Sequence, residues 1–216
     1  MAFQWEMARA IGLSRDEIDC FRPLSSPEKV QDFITAIPVN FEPRGDTCHS
    51  VRTALRKNRA HCIEGAFMAA CAMKLHGRPA LIMDFVADDD DDHVLTLFRH
   101  SGRWGAVSKS NSLWLRWRDP VYSSLRELAM SYFHEYGRGT RRTLRSYSRA
   151  FDLGSYDPRQ WITNPDHCWD MAGALNDCRH YRVLNRAQII RLRPREKIEL
   201  RADQVKQYKK NGTRRF

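Results

Sequence analysis

The stretch HCIEGAFMAACAMKL at residues 61–75 decides the fold that the rest of the chain must support. Its apolar residues are not confined to one stripe, because small and large apolar side chains surround a helix drawn through it. A helix that is apolar on most sides is buried at the centre of a domain. The next residues, His76 and Gly77, are typical of a helix C-terminus. We therefore predict a central buried helix that begins at Cys62.

A sheet is predicted directly after this helix. Residues 79–87 include the apolar run ALIMDFVA, which is typical of a buried strand. Residues 93–99 and 103–107 form two further strands, joined by a hairpin at residues 100–102. A central helix packed on an antiparallel sheet predicts an α+β fold.

Short helices are predicted before the central one. Ser14 and Glu17 have the spacing of a capping box at a helix start. Ser26 is a second N-cap, followed by Pro27 at the first helical position. Residues 50–58 form a third short helix with apolar residues on one side.

The later part of the chain changes in character. Asp119 and Pro120 are predicted to open a helix that ends near residue 137, and residues 170–177 form another. Residues 138–165 are basic and rich in Tyr and Ser, and their candidate anchors are Leu144, Tyr147 and Phe151. After residue 194 the chain is charged and low in apolar anchors, so we expect it to fray.

The charge divides the chain into two parts. The net charge is +10, and residues 137–216 alone contain 19 Lys and Arg against 8 Asp and Glu. A hydrophobic content of 42% over 216 residues is enough for one domain with a substantial core. We predict a domain at residues 1–136 and a helical, basic C-terminal extension at residues 137–216 that packs on the domain or trails from it.

Composition also predicts the compartment. No stretch approaches the roughly 20 apolar residues of a membrane helix, and the start MAFQWEM lacks a basic region followed by an apolar run. The six cysteines are too sparse for a disulfide scaffold, which favours free thiols. We expect a soluble, cytoplasmic protein without a membrane partner.

Cys62 and His93 are the candidate reactive pair. A thiol attacks as its thiolate, and the positive end of a helix lowers the pKa of a cysteine placed there. A histidine at the start of a strand packed beside the helix can act as the base. This pair predicts attack on an amide or ester carbonyl through a thioacyl intermediate.

Four short motifs carry a family resemblance. They are HCIEGA at 61–66, HVLTLF at 93–98, GRW at 102–104 and VS at 107–108. Together, over roughly residues 27–111, they resemble the core of the transglutaminase-like superfamily, and the later sequence suggests a bacterial branch. The resemblance implies a cysteine-proteinase-like fold and the papain-like order Cys, His, Asp at Cys62, His93 and position 108. It names no substrate.

Position 108 departs from this pattern because it is Ser108. A hydroxyl can fix the tautomer of His93, but it brings no negative charge to an imidazolium. Asp84 on the neighbouring strand or Asn111 just beyond could take the role of the acid. Asp92 is less suitable, because adjacent residues of a strand point to opposite faces.

Three polar or thiol side chains near this pair have simpler interpretations. Cys71 lies within the apolar surface of the central helix and is interpreted as core. His61 could tune the nucleophile, although we interpret it as a loop histidine. Glu64 is polar on an apolar helix, so we expect it to pair with an arginine of residues 52–59.

No cofactor or metal is predicted. The five aspartates at 88–92 lack the spacing of a calcium loop, so we interpret them as a solvated turn that repels acidic substrates. The Cys and His pairs lack the spacing of zinc ligands. Basic residues among Tyr147 and Phe151 could contact nucleic acid, but a surface without that partner is the favoured interpretation.

The sequence therefore predicts a hydrolase or acyltransferase that uses Cys62, His93 and Ser108 on a peptide or a small amide or ester. The alternative is a catalytically degenerate binding module, which would contact nucleic acid or an acidic partner through its basic C-terminal third. Oligomeric state stays open.

Overall fold

The computed structural model describes residues 2–210 as an α+β fold built around a seven-stranded antiparallel sheet. The strands are β1 Leu81–Ala87, β2 His93–His100, β3 Arg103–Val107, β4 Arg118–Tyr122, β5 Gly137–Arg138, β6 Arg141–Arg142, β7 Leu144–Ser148, β8 Phe151–Asp152 and β9 His180–Arg182. The sheet order is β4-β3-β2-β1-β7-β9, β8 also pairs with β1, and β5 and β6 form a separate hairpin. The predicted α+β class is confirmed.

Nine α-helices surround the sheet within the described residues. They are α1 Trp5–Ile11, α2 Arg15–Phe21, α3 Pro27–Ala36, α4 Val51–Lys57, α5 Cys62–Leu75, α6 Leu125–Tyr132, α7 Trp169–Asn176, α8 Arg186–Ile190 and α9 Lys197–Ala202. Ser14 and Ser26 cap α2 and α3 as predicted. Between residues 2 and 210, none of the helices combines the length and the apolar character needed to cross a membrane.

Helix α5 is the centre of the fold. Every residue from Ile63 to Met73 is buried, and the Thr96 hydroxyl of β2 donates a hydrogen bond of 2.9 Å to the Ala66 carbonyl of the helix. Cys71 is fully buried, and burial raises the pKa of its thiol, which confirms its role in the core. The sheet thus holds α5 along its length and fixes the position of its first turn.

The sheet is covered on both faces. Ile82, Val94 and Phe98 belong to the core that contains α5. Met83 and Leu95, which alternate with them along β1 and β2, belong to a second core that contains α6. A strand buried on both faces needs no polar alternation, which explains the continuous apolar run of β1.

Residues 137–210 are part of the same sheet. Strand β7 pairs with β1, with Phe85 opposite Tyr147, and β9 pairs with the other side of β7. The anchors predicted in this region, Leu144, Tyr147 and Phe151, are all buried. The segment predicted as a helical extension therefore contains strands as well as helices. Its polar strand LRSYS has too few apolar residues to show the pattern of a strand.

The segment around Pro120 is a strand, not the predicted helix start. Strand β4 pairs only with β3, and proline is tolerated in such an edge strand because one side of it needs no N–H. Helix α6 instead begins after Ser124, whose hydroxyl accepts the N–H of Glu127.

The tail after residue 194 does not fray where the structure describes it. Arg195 is buried and forms an ion pair of 2.7 Å with Asp203. The Tyr208 hydroxyl is 3.0 Å from the carbonyl oxygens of Thr35 and Ala36 at the end of α3. The prediction of fraying is wrong for residues 195–210, and its remaining part, residues 211–216, lies outside the described residues.

Gly65 allows α5 to pack closely beneath the loop that follows β3. A methyl group at Gly65 would overlap the Cβ and Cγ atoms of the buried Lys109. We expect Gly65→Ala to lower the free energy of unfolding by about 1–3 kcal/mol, the usual effect of overpacking. Urea denaturation measures this difference.

Gly173→Ala is the matched control. Gly173 lies within α7, where an added methyl group would meet no atom within 4 Å. Because alanine is a better helix former than glycine, the free energy of unfolding of this variant should rise by about 0.5–1 kcal/mol. Equal stability changes in the two variants would contradict the close packing of α5 against Lys109.

Candidate active site

Cys62 stands at the open end of the buried helix. It is the first residue of α5, and His61 is the N-cap. The first N–H groups of a helix have no partner within the helix, and the positive end of its dipole favours an anion there. Cys62 is partly exposed and lines two neighbouring clefts. The fold therefore presents a cysteine where its thiolate is stabilised and accessible.

His93 is oriented by Ser108. His93 begins β2, and its Nε2 lies 2.8 Å from the Ser108 hydroxyl oxygen. That hydroxyl donates its only proton to the Leu115 carbonyl, at 2.6 Å. It must therefore accept the proton on Nε2 of His93, which leaves Nδ1 as the free basic nitrogen.

The main chain of Ser108 is fixed by helix α3. The Gln31 side-chain oxygen accepts the Ser108 N–H at 2.8 Å, and the Gln31 amide nitrogen donates to the Ser108 carbonyl at 3.0 Å. These two residues are 77 positions apart in the chain. Neither this clamp nor the Leu115 carbonyl has a local signal in the sequence, so both were missed.

The other candidates for the acid have different partners. The Asp84 carboxylate lies 3.3 Å from Nε2 of His180. The Asn111 side chain exchanges hydrogen bonds with the main chain of Tyr208. The Asp92 carboxylate accepts the N–H of Ala87 at 2.8 Å. Ser108 is thus the residue that contacts His93.

Cys62 differs from the other cysteines in its ionisation. Burial raises the pKa of its thiol, but hydrogen bonds to His61 and His93, and the positive charge that these rings carry when protonated, outweigh burial and lower the pKa to about 5. The other five cysteines, Cys20, Cys48, Cys71, Cys168 and Cys178, have raised pKa values because of burial. Cys62 is therefore a thiolate at neutral pH.

His61 contacts the reactive sulfur, which the interpretation as a loop histidine did not anticipate. Its Nδ1 lies 3.8 Å from the Cys62 sulfur, and its Nε2 donates to the Thr47 carbonyl at 2.8 Å. Burial lowers the pKa of His61, but the Cys62 thiolate and the carboxylates of Glu64 and Glu42 raise it to about 10. The Cys62 thiol therefore interacts with two imidazole rings, those of His61 and His93.

Glu64 is the buried charge behind this helix start. Its carboxylate accepts the N–H groups of His49 and His61, both at 3.0 Å, and the Thr47 hydroxyl at 2.8 Å. Nδ1 of His49 is 2.6 Å from the same carboxylate. The prediction that Glu64 pairs with an arginine of residues 52–59 is wrong. Histidines and main-chain donors from the preceding loop satisfy the charge instead.

Clefts open on both sides of Cys62. One cleft, of about 320 Å³, extends past His93 to Trp114 and Tyr136. The other, of about 560 Å³, extends towards Trp169, whose side chain is 49% exposed. An extended substrate can therefore place groups on either side of a carbonyl held at the sulfur.

The aspartate turn before His93 is tied to the basic segment. Asp88 pairs with Arg145 at 3.1 Å, and Asp89 contacts Arg138 and Arg141. The Thr143 hydroxyl donates to Asp90 at 2.6 Å. The turn is exposed to solvent as predicted, since the side chains of Asp88 and Asp89 are 54% and 70% exposed, and its charge is partly paired with residues 138–145.

Metal ligation has no geometric support in the part of the chain described. Within residues 2–210 there is no group of three or more His, Cys, Asp or Glu side chains placed to hold a metal ion.

Comparison of the chain with protein-family models and with curated proteins identifies no relative. No protein-family model matches the chain, and no curated protein matches it.

Removing the charge of Glu64 tests the buried network. We expect Glu64→Gln to lower the free energy of unfolding at pH 7 by about 3–5 kcal/mol, because one partner of a buried charged pair is lost. The pKa of Glu64 is lowered: burial raises it, but His61 and the hydrogen bonds outweigh burial. Its contribution is therefore present above about pH 4.5, the ordinary value for Glu, and is lost as pH falls further.

Urea denaturation at pH 7 and at pH 4 measures this loss. Glu28→Gln is the control, because Glu28 is exposed in the first turn of α3 and should change stability by less than about 0.5 kcal/mol. A Glu64→Gln variant as stable as the control at pH 7 would contradict the network.

The Ser108 hydroxyl should determine the tautomer of His93. In the native protein we expect the proton of the neutral ring on Nε2, and in Ser108→Ala a mixture of both tautomers, because the acceptor is lost. Nitrogen-15 NMR of the imidazole measures this. Ser110→Ala lies in the same loop, where its hydroxyl accepts the N–H of Ser112. It should leave His93 unchanged, and a native tautomer in Ser108→Ala would refute the assignment.

Proposed function

We propose that this chain is a cysteine-dependent hydrolase or acyltransferase that acts on an amide or ester carbonyl. The observation that carries the proposal is Cys62, an accessible cysteine at the start of a buried helix, with a lowered pKa and hydrogen-bonding partners in His61 and His93. The resemblance of the motifs around Cys62 and His93 to the transglutaminase-like superfamily supports the same chemistry.

In the first step the Cys62 thiolate attacks the carbonyl carbon. A carbon–sulfur bond forms, and the carbonyl electron pair moves onto oxygen. The Cys62 N–H belongs to the first helical turn, where N–H groups lack helical partners, so it is suited to receive this oxyanion. When the intermediate collapses, the bond to the leaving group breaks, and the leaving amine or alcohol takes a proton from an imidazolium at the site.

In the second step the thioacyl group is transferred. His93 accepts a proton from water or from an amine through Nδ1, and the new nucleophile attacks the thioester carbon. The carbon–sulfur bond then breaks, which restores the Cys62 thiolate. Water gives hydrolysis and an amine gives acyl transfer, and the geometry supports both.

Ser108 replaces an acid as the residue that orients His93. A carboxylate would stabilise the imidazolium by its charge, whereas the Ser108 hydroxyl passes one hydrogen bond to the neutral Leu115 carbonyl. The hydroxyl therefore orients the ring but supplies no charge to it. We infer slower proton transfer at His93 than in a site with an aspartate.

The substrate proposed is a peptide or a small amide or ester. The two clefts leave room on both sides of the sulfur, with Trp169 on one side and Trp114 on the other. Aromatic side chains in a cleft provide apolar contact area. The indole N–H of Trp114 is already donated to Asp203. The side towards Trp169 is the larger one.

Acylation of Cys62 by an activated ester tests the proposal. With a p-nitrophenyl ester, we expect a rapid release of nitrophenol equal to one site per molecule, and mass spectrometry should place the acyl group on Cys62. Cys62→Ser should abolish the release. His93→Gln should slow turnover of the thioester about a hundredfold, as expected for loss of a general base.

Cys20→Ser is the matched control, because Cys20 is exposed and has a raised thiol pKa. This variant should leave unchanged the rate of nitrophenol release and the rate of thioester turnover. Slow, equal acylation of all accessible cysteines would contradict the proposal and favour the alternative, a degenerate binding module. Several arginines of the basic third already pair with carboxylates of the same chain, as Arg142 does with Glu199 at 3.0 Å, which leaves less charge for an external partner.

A further inference from the structure

His61 and His93 approach the same sulfur with different surroundings. Nδ1 of His61 is 3.8 Å from the Cys62 sulfur, and its Nε2 donates to the Thr47 carbonyl. The His93 ring is held by the Ser108 hydroxyl. In both rings Nε2 forms a hydrogen bond with an oxygen atom. The two histidines differ in the charged groups that lie behind that oxygen.

Two carboxylates lie directly behind His61. Nε2 of His61 is 3.4 Å from a Glu42 oxygen and 3.5 Å from a Glu64 oxygen. Glu64 is fully buried, so the attraction between it and an imidazolium is weakly screened. The chain that leads away from His93 ends at the Leu115 carbonyl, which is neutral. The positive charge of an imidazolium is therefore better stabilised on His61.

We propose that His61 is the ion-pair partner of the Cys62 thiolate, and that Glu64 supplies behind His61 the negative charge that Ser108 does not supply behind His93. The link to catalysis rests on the proposed function, whereas the ion pair itself does not. This arrangement divides two tasks between two histidines: His61 holds the thiolate, and His93 handles the protons of the incoming nucleophile.

Before substrate binds, the proton of the Cys62 thiol moves to Nδ1 of His61. The sulfur–hydrogen bond of Cys62 breaks, a nitrogen–hydrogen bond forms at Nδ1 of His61, and the net charge of the pair does not change. During acylation the same proton is available to the leaving group. Water or an amine can then lose its proton to Nδ1 of His93, because that nitrogen is not occupied by the proton of the thiol. After the carbon–sulfur bond breaks, this proton passes from His93 through the Cys62 sulfur to Nδ1 of His61, which restores the resting ion pair.

Other charged groups lie near the pair, among them Asp91 and Asp92, which line both clefts together with Cys62. The titratable groups that face His61 or interact electrostatically with the Cys62 sulfur are Glu42, Glu64, His93, Asp84, Tyr136 and Cys48. Asp84 is paired with His180, and burial and the neighbouring Asp92 raise its pKa to about 6. The burial of Tyr136 and Cys48 raises their pKa values. Because Asp84 is present in the native protein and in both histidine variants, the comparison of these proteins, and not the native profile by itself, tests the ion pair.

The pH dependence of alkylation tests the proposal without any substrate. The rate constant for iodoacetamide at Cys62, followed by mass spectrometry, should be half-maximal near pH 5 in the native protein. In His61→Gln the half-maximal pH should rise by two or more pH units, and the rate at pH 5 should fall at least tenfold. His93→Gln should produce the smaller rise.

A second measurement does not depend on the folding of a His61 variant. In Cys62→Ser the thiolate is absent, so NMR titration should show a lower pKa for His61 than in the native protein. His167→Gln is the matched control for histidine removal, because His167 bonds to the Cys48 N–H and not to Cys62. It should leave the alkylation profile at its native position.

Two results would overturn the proposal. One is a larger rise in the half-maximal pH for His93→Gln than for His61→Gln, and the other is a His61 titration unaffected by Cys62→Ser. Failure of the proposed function gives a different result: the alkylation profiles shift as expected, yet no ester acylates Cys62. The two failures are therefore distinguishable.

Discussion

The carboxylate of Glu64 is the constraint on which the site depends. It is fully buried in the first turn of α5, where an unpaired charge would cost several kcal/mol. Satisfying it brings the loop of Thr47 and His49 against the start of the helix and places the N–H of His61 on the same carboxylate. Because His61 precedes Cys62 in the chain, the bond that satisfies a buried charge also positions an imidazole ring beside the sulfur.

The opposite side of the sulfur is built from distant parts of the chain. Helix α3 holds the main chain of Ser108 through Gln31, and the loop after β3 supplies the Leu115 carbonyl. The sheet fixes β2, and with it His93, relative to α5 through contacts such as Thr96 to Ala66. Each histidine therefore has its own support, and a change in one support need not disturb the other.

Sequence patterns predicted the parts of this arrangement that depend on local chemistry. The apolar character around α5, the caps at Ser14 and Ser26, and the core position of Cys71 follow from propensity and burial. The sequence also marked Ser108 as a residue that could orient His93. The wrong predictions share a physical cause: the partners of Glu64, the anchoring of residues 195–210 and the edge strand at Pro120 depend on tertiary contacts. The separations run from 15 positions between Glu64 and His49 to 173 positions between Tyr208 and Thr35. No local pattern encodes such contacts.

Strand β7 joins the C-terminal third of the chain to the central sheet. Strand β1 is paired on one side with β2 and on the other with β7, which comes from the C-terminal third. A fragment ending at residue 136 would leave the N–H and C=O groups of an apolar strand unpaired along the length that β7 covers. Such an exposed strand is a template for self-association and aggregation. The two parts distinguished by charge therefore share one sheet.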